Sequence, residues 1–259
     1  MITLKQIIKK ILLFFNFKII NINYKELNFD DIYKIKIKDE KPVIFDVGAN
    51  QGQSIVRFKK IFPKSIIHAF EPNTIEFKKL ILKFKNDKSI ILNNCGVGDK
   101  KEIKELLITQ VTGNSSFYKL NLDTQWIKIR SNETTVSEKK FTSGKQRIII
   151  KTLDQYCKEK KIKKINLLKI DTQGYEDKVL SGSKSLLNKN IIQIIETEIM
   201  FDDVYKKYLN FIDIEKYLIP NNFRFCGYSK NGSFNNLFEG HTFFADLLYL
   251  NKKYFFKKN

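Results

Sequence analysis

The chain has 259 residues, 42% of them hydrophobic and 13% aromatic, with 47 Lys and Arg against 28 Asp and Glu for a formal net charge of +19. That supplies one α/β domain with a sizeable core, leaves little room for a second, and excludes a disordered chain. Its three cysteines, Cys95, Cys157 and Cys226, form no CxxC pair, which excludes a disulfide framework and a thiolate zinc site and points to a reducing compartment.

The positive surplus is lysine dispersed through helices and loops, with few arginines and no dense aromatic-and-basic cluster. A drift toward Lys, Ile and Asn explains it as well as an acidic surface, a lipid headgroup or a polyanionic substrate does. Residues 7–20, IIKKILLFFNFKII, are apolar but broken by Lys9, Lys10, Asn16 and Lys18. They are too short and interrupted for a bilayer span and lack the small-residue cleavage site of a secretory signal. The expectation is a helix over 4–17 packed on the domain or between copies in a homo-oligomer, with peripheral membrane contact through 7–20 as the alternative. Without a signal, the expected location is cytoplasmic. Residues 1–41 read as a helical lead-in whose polar connection, 21–41, brings Tyr24, Leu27, Ile32 and Tyr33 over the mouth of the following domain.

That domain, residues 42–250, starts with an apolar, β-branched run at 43–47, read as a buried parallel strand. Gly48, Asn50 and Gly52 then form a tight turn, 53–61 a helix stopped near Pro63, and 65–70 a second strand ending at Glu71. An acid at that place, beside a glycine turn, can accept both hydroxyls of a ribose. The turn reads DxGxNxG, not GxGxxG, and its acid, Asp46, repels a pyrophosphate but can hold an ammonium. S-adenosylmethionine, with an ammonium, a sulfonium, a ribose and no phosphate, suits it better than NAD. A strand-to-helix turn without a ligand is the plainer alternative.

Residues 74–85 are amphipathic, with Ile75, Phe77, Leu80, Ile81 and Phe84 facing inward and Asn73 or Thr74 as the cap. A third strand, 89–92, leads to Asn94, Cys95 and Gly96. An antiparallel or edge strand follows at 101–109, then a variable insertion near 110–146, hydrophilic and weakly periodic, suited to a substrate-selecting loop. A strand at 147–151, a helix at 152–160 capped by Thr152 and a fourth parallel strand at 165–170 end at Asp171. Next come a helix at 175–180, a fifth strand at 191–195 ending at Glu196, a helix at 202–218, and a closing antiparallel pair at 223–228 and 241–248. Residues 251–259 form a basic tail.

Ligands of such sheets bind beyond the carboxyl ends of the strands, here Asp46, Glu71, Asn94, Asp171 and Glu196. Asp171 follows an apolar run and precedes a glycine turn, beside the group to be transferred; its alternative is to cap the helix at 175. Glu196 and Glu198 share a face if their strand persists, with Glu196 preferred for the site and Glu198 as a cap of the next helix. His241 could take a proton from a hydroxyl or be structural; His68 reads as a packed residue. No HxxxH or HExxH exists, and Asp171 with Glu196 is the one pair considered for Mg²⁺.

The chain resembles the FkbM-type S-adenosylmethionine-dependent methyltransferases, mostly O-methyltransferases of sugars and other natural products. The likeness runs over about 42–250 and rests on FDVGANQGQS at 45–54, HAFEP at 68–72, NNCGVGD at 93–99, LLKIDTQGYEDKVLSG at 167–182 and IIETE at 194–198. It implies a Rossmann-like class I methyltransferase fold: a mostly parallel seven-stranded sheet with an antiparallel closing strand. It further implies that Gly48, Asn50 and Gly52 form the cofactor loop, Glu71 binds ribose, Asn94 and Cys95 lie near adenine, and Asp171 lies near the methionine end or the acceptor. Gln173 stands where the family motif commonly carries an acid, which weakens any metal at that turn. The reaction expected is methyl transfer to a hydroxyl of a small-molecule or saccharide acceptor, with Asp171, Glu196 or His241 as base. The rivals are a nucleic-acid methyltransferase, disfavoured by the lack of an NPPY-like tetrapeptide, a non-catalytic interaction or membrane-surface protein that keeps the fold, and an NAD-dependent reductase.

Overall fold

The computed structural model describes residues 28–207, 209–229 and 243–255. The expected helix at 4–17, the membrane-contact stretch 7–20, Tyr24, Leu27 and His241 lie outside them, as do residues 256–259 of the basic tail. Within the connection read as polar, a helix α1 (Phe29–Lys36) forms instead. Asn28 caps it through Asp31 N, Asp30 and Asp31 occupy its first turn and Lys34 and Lys36 its last, and it buries Phe29 and Tyr33.

Strand β1 (Val43–Val47), helix α2 (Gln53–Ile61), strand β2 (Ile66–Phe70), helix α3 (Thr74–Phe84) and strand β3 (Ile90–Asn93) follow the expected order. Asn73 caps α3, accepting from Ile75 N. Of its expected inward residues Leu80 is buried, whereas Ile75 and Ile81 are exposed, because Glu76 takes an inward position and is itself buried.

Strands β4 (Gly96–Val97) and β5 (Glu102–Thr109) come next, then helix α4 (Gln125–Thr134) and strand β6 (Thr142–Lys151). These strands form a separate sheet in the order β4-β6-β5. The stretch read as hydrophilic and weakly periodic therefore contains a helix, capped by Thr124. It is anchored by Trp126 and Ile127, with Trp126 edge-on to Phe141. Strand β6 starts five residues before its expected start at 147, because β5 pairs along its whole length.

Helix α5 (Leu153–Glu159), capped by Thr152, strand β7 (Ile165–Ile170), helices α6 (Glu176–Ser181) and α7 (Lys184–Asn188) and strand β8 (Ile192–Met200) continue the chain. Strand β8 runs well past Glu196, since β10 pairs with it as far as Met200; Glu198 is a strand residue and caps nothing. Helix α8 (Phe211–Leu218) starts nine residues after the expected 202, because Val204 and Tyr205 instead pack into the Trp126 cluster. Strands β9 (Phe223–Tyr228) and β10 (Phe244–Asn251) and helix α9 (Lys252–Phe255) end the described chain, with β10 starting at Phe244 instead of 241.

The main sheet has the order β3-β2-β1-β7-β8-β10-β9. Its first five strands are parallel and β10 is antiparallel to both neighbours. One face carries Phe45, Val47, Leu168 and Ile195 in a core with Tyr156, Val179 and Leu187; the other carries Ile44, Ile67, Leu167 and Ile194 beneath Tyr33, Phe58 and Leu80. Strand order reverses between β1 and β7, the place where open α/β sheets hold ligands.

Candidate functional site

A cleft of about 330 Å³ opens there. The β1 turn, Glu71, Cys95 to Val97, Asp171 to Gln173, and Glu196, Glu198 and Asp246 line it, together with Arg57, Lys169 and Phe244.

The turn after β1 is held by its glycines. Gly48 has φ +94°, and a Cβ there would stand 1.8 Å from the Asp171 carbonyl oxygen; only glycine lets the ends of β1 and β7 approach this closely. Gly52, at φ +77°, precedes α2 without a side-chain cap, and Gln53 and Ser54 bring that helix start to the cleft wall. Glu71 clamps the turn: its Oε2 accepts from Asn50 N at 2.7 Å and its Oε1 from Asn73 N at 2.7 Å. Burial nevertheless pushes its carboxyl up to about 7 against those two bonds. Asn94 does not line the cleft; its amide donates to Glu71 O at 2.9 Å and Pro72 O at 3.1 Å, bracing the Glu71 loop from outside. Cys95 does line it, with Phe70, Val97, Leu106 and Phe117, a largely apolar recess beside Glu71.

A row of charge crosses the sheet beneath this cleft. Asp46 pairs in register with Lys169, and Lys169 with Glu196. Asp46 is 0% exposed, does not line the cleft, and neither of its carboxylate oxygens has a hydrogen-bond partner among the described residues. Burial raises it to about 7, with Lys169 pulling the other way. Asp46 therefore sits under the turn, where it cannot grip a ligand's ammonium directly. Lys169 Nζ reaches Asp171 Oδ2 at 2.9 Å. Burial opposes both charges, but Asp171, Asp46 and Glu196 hold the Lys169 ammonium firmly protonated. Burial likewise opposes ionisation of Asp171, yet the Lys169 charge and the Gln173 amide keep its carboxyl below the usual range. The Asp171 side chain is 32% exposed. Its Oδ1 accepts from Gln173 Nε2 at 3.0 Å, so its role is not that of a helix cap.

Glu196 is clamped from the other side. Arg57 Nη1 donates to its Oε1 at 2.8 Å, the Tyr33 hydroxyl donates to its Oε2, and Arg57 Nε also reaches Asp30 at 2.7 Å. Tyr33 thus packs under the cleft floor, not over its mouth. Gln173 Nε2 also donates to Glu198 Oε2 at 2.7 Å, and the Tyr205 hydroxyl donates to Gln173 Oε1 at 2.9 Å. Burial and the carboxylates of Asp171, Glu176 and Asp246 push Glu198 well above the usual range; burial and Glu196 raise Asp246 to about 6. His68 faces the core, its Nδ1 2.8 Å from the Tyr156 hydroxyl. Among the described residues no group of three or more His, Cys, Asp and Glu side chains could hold a metal ion.

Sequence reasoning missed Arg57, Lys169, Phe244 and Asp246 as cleft residues, and it put Tyr33 over the mouth instead of beneath Glu196. One signal was available: Lys169 interrupts the apolar run INLLKI of a central strand, and a buried lysine requires carboxylate partners.

Residues 46–230 match the family model described as the methyltransferase FkbM domain. The chain belongs to the FkbM methyltransferase family. It is 28% identical over 173 residues to the 2-O-methyltransferase NoeI of Sinorhizobium fredii, a match covering 64% of this chain and 66% of that protein. It is 29% identical over 165 residues to Methyltransferase 1 of Beauveria bassiana, covering 61% and 65%. The matched segment thus spans about two thirds of the length of these curated relatives. The crystal structure of the methyltransferase FkbM from Methylobacillus flagellatus KT aligns with a TM-score of 0.51 at 12% identity, over 82% of this chain and 44% of that one, a likeness of fold alone. Of the cleft residues, Val47 to Glu198 fall within the family segment and Phe244 and Asp246 lie outside it; of the residues beneath the cleft, Asp46 falls inside the segment and Tyr33 outside.

Proposed function

We propose that this chain transfers a methyl group from S-adenosylmethionine to a hydroxyl oxygen of a sugar or glycan-type acceptor. The observation that carries the reading is the contact of the Gly48 turn with Asp171, flanked by the twice-anchored Glu71, in a chain of the FkbM family. The donors suit the cofactor: Glu71 keeps lone pairs for two ribose hydroxyls, the Cys95–Val97–Phe117 recess accepts a flat base, and the α2 amino terminus favours a carboxylate. Asp46 supports the turn from beneath, and the two cations that line the cleft, Lys169 and Arg57, are already paired with Asp171 and Glu196. The name of the Sinorhizobium relative supports oxygen as the target atom.

S-adenosylmethionine supplies an electrophilic methyl group when bound. The chain's own part is alignment and exclusion of water, a large share of such a barrier. Asp171, ionised and held from two sides by Lys169 and Gln173, accepts the hydrogen bond of the acceptor hydroxyl, aims its lone pair and takes its proton as the oxygen–methyl bond forms. Glu196 gives the cleft a fixed negative wall, and His241 remains the alternative proton acceptor. In this reading residues 42–250 carry the chemistry, with 110–146 choosing the acceptor and 1–41 a lead-in to that domain.

The test is incubation with methyl-labelled S-adenosylmethionine and free sugars or oligosaccharides, scored for a base-stable methyl ether. Asp171→Asn should lower transfer by about 100-fold or more with the fold and S-adenosylhomocysteine binding intact. Near-normal turnover would remove Asp171 from the reaction, and a base-labile label would remove the hydroxyl acceptor.

A further inference from the structure

The cleft's charges are unevenly matched. Five of its lining side chains are carboxylates, Glu71, Asp171, Glu196, Glu198 and Asp246, and two are cations, Arg57 and Lys169. Both cations are engaged already: Lys169 with Asp171, Arg57 with Glu196 and Asp30. Glu71 stands at the opposite, cofactor side. Glu198 and Asp246 remain, direct cross-strand neighbours on β8 and β10.

Both are poorly satisfied, Glu198 as a buried acid and Asp246 as a half-buried one. Glu198 is 9% exposed, and its Oε1 takes no hydrogen bond from any described residue, its Oε2 taking one from the neutral Gln173. The Asp246 carboxylate receives a single 3.3 Å bond, from the Ser229 hydroxyl, among the described residues. Neither is within ion-pair distance of a described Lys or Arg. Two carboxyls side by side in a partly closed site oppose each other's ionisation, and a bound cation lets both carry their charge. Phe244 lies on the same strand at the cleft wall, an apolar surface for the carbon face of a ring. The acid pair thus contrasts with the chain's overall +19, which alone would suggest an anionic partner.

We infer that the acceptor presents an amino group to Glu198 and Asp246 beside the hydroxyl that is methylated, so that its class is an amino sugar and not a phosphorylated or uronic sugar. This rests on the methyltransferase reading above and narrows its acceptor. A protonated amine donates to Glu198 Oε1 and to Asp246 while the neighbouring hydroxyl faces Asp171. An anionic acceptor would meet four carboxylates at this end of the cleft with both cations already paired.

The experiment uses the full chain saturated with S-adenosylhomocysteine and titrated, by ligand-observed NMR, with methyl glucosaminide, methyl glucoside and methyl glucuronide, which share a ring and differ in charge. The amino sugar should bind about tenfold or more tighter than the neutral one, and the uronic sugar weakest. The double variant Glu198→Gln, Asp246→Asn should keep its S-adenosylhomocysteine affinity and lose the preference for the amine. Equal affinity for amino and neutral sugars, tighter binding of the glucuronide, no binding of the amino sugar, or an unchanged preference in the double variant would each overturn the inference and leave the methyltransferase reading standing. Failure of S-adenosylhomocysteine to bind the folded wild-type protein would overturn both.

Discussion

Replacing Lys169 by methionine tests the charge row under the cleft. The side chain keeps its length and loses its ammonium, which lies 2.9 Å from Asp171 and between the register partners Asp46 and Glu196. Glu196 retains Arg57 and Tyr33, and Asp171 retains Gln173, but Asp46 has no hydrogen-bond partner among the described residues in either protein. Removing one partner of a buried pair costs about 3–5 kcal/mol, and that figure applies where the acids are ionised. In the wild type the Asp171 carboxyl is held low, so its contribution is present above the ordinary carboxylate range and is lost as pH falls through the folded value. Without Lys169, burial raises Asp171, and its penalty fades as pH falls and a proton neutralises it. Urea unfolding of both proteins at pH 5 and pH 8 measures this. The difference in stability should be several kcal/mol at pH 8 and clearly smaller at pH 5. A difference below about 1 kcal/mol, or one equal at the two pH values, would refute the view that Lys169 neutralises buried acids.

Gly48→Ala should abolish measurable S-adenosylhomocysteine binding and lower the melting temperature, because its Cβ would overlap the Asp171 carbonyl oxygen at 1.8 Å and its φ is +94°; calorimetry on the folded variant checks it, and wild-type affinity would contradict the turn's geometry. The ligand-free protein should melt higher at pH 5.5 than at pH 7.5. Asp46, Glu71 and Glu176 are each raised to about 7 by burial, so their stability is present below about pH 4 and lost as pH rises through 7. His68, lowered to about 4 by burial, opposes them as a single group, and a flat or rising profile would contradict the balance. Gly182→Ala should destabilise without touching the cleft, since its Cβ would meet Gly98 O at 1.9 Å; a loss of about 2–4 kcal/mol in urea unfolding is expected, and a neutral effect would show that the two loops separate easily.

The central strands were legible because burial on both faces makes them continuous apolar runs: β1, β2 and β7 lie within a residue of where composition placed them. The reversal between β1 and β7 was not placed from the sequence, because strand order depends on pairings that the order of runs does not fix. Helix α4 was not legible, since its anchors Trp126 and Ile127 are adjacent and leave no repeating stripe. The late start of α8 was hidden because a helix-compatible stretch, 202–207, is drawn away by the packing of Tyr205 against Leu120. In the site, Glu71 and Asp171 were visible as acids at strand ends. Arg57 and Lys169 were not, because a cation in a chain with so many reads as solvent-facing, and their burial depends on partners far away in sequence, Glu196 and Asp46 among them. Asp46 was visible, but its depth was not: it shares a sheet face with the cleft-lining Lys169 and Glu196 yet is fully buried and does not reach the cleft.

Calorimetric titration with S-adenosylhomocysteine, of the wild type and of Glu71→Ala, tests the central claim most directly. Glu71 accepts two backbone N–H groups of the turn and offers the ribose its remaining lone pairs, and hydrogen bonds to a charged group contribute about 1.5–3 kcal/mol each. The account predicts saturable binding by the wild type, weakened by about 10-fold or more in the variant. No heat from a folded wild-type sample would contradict the cofactor site itself, and equal affinity in the two proteins would contradict the place given to Glu71 within it.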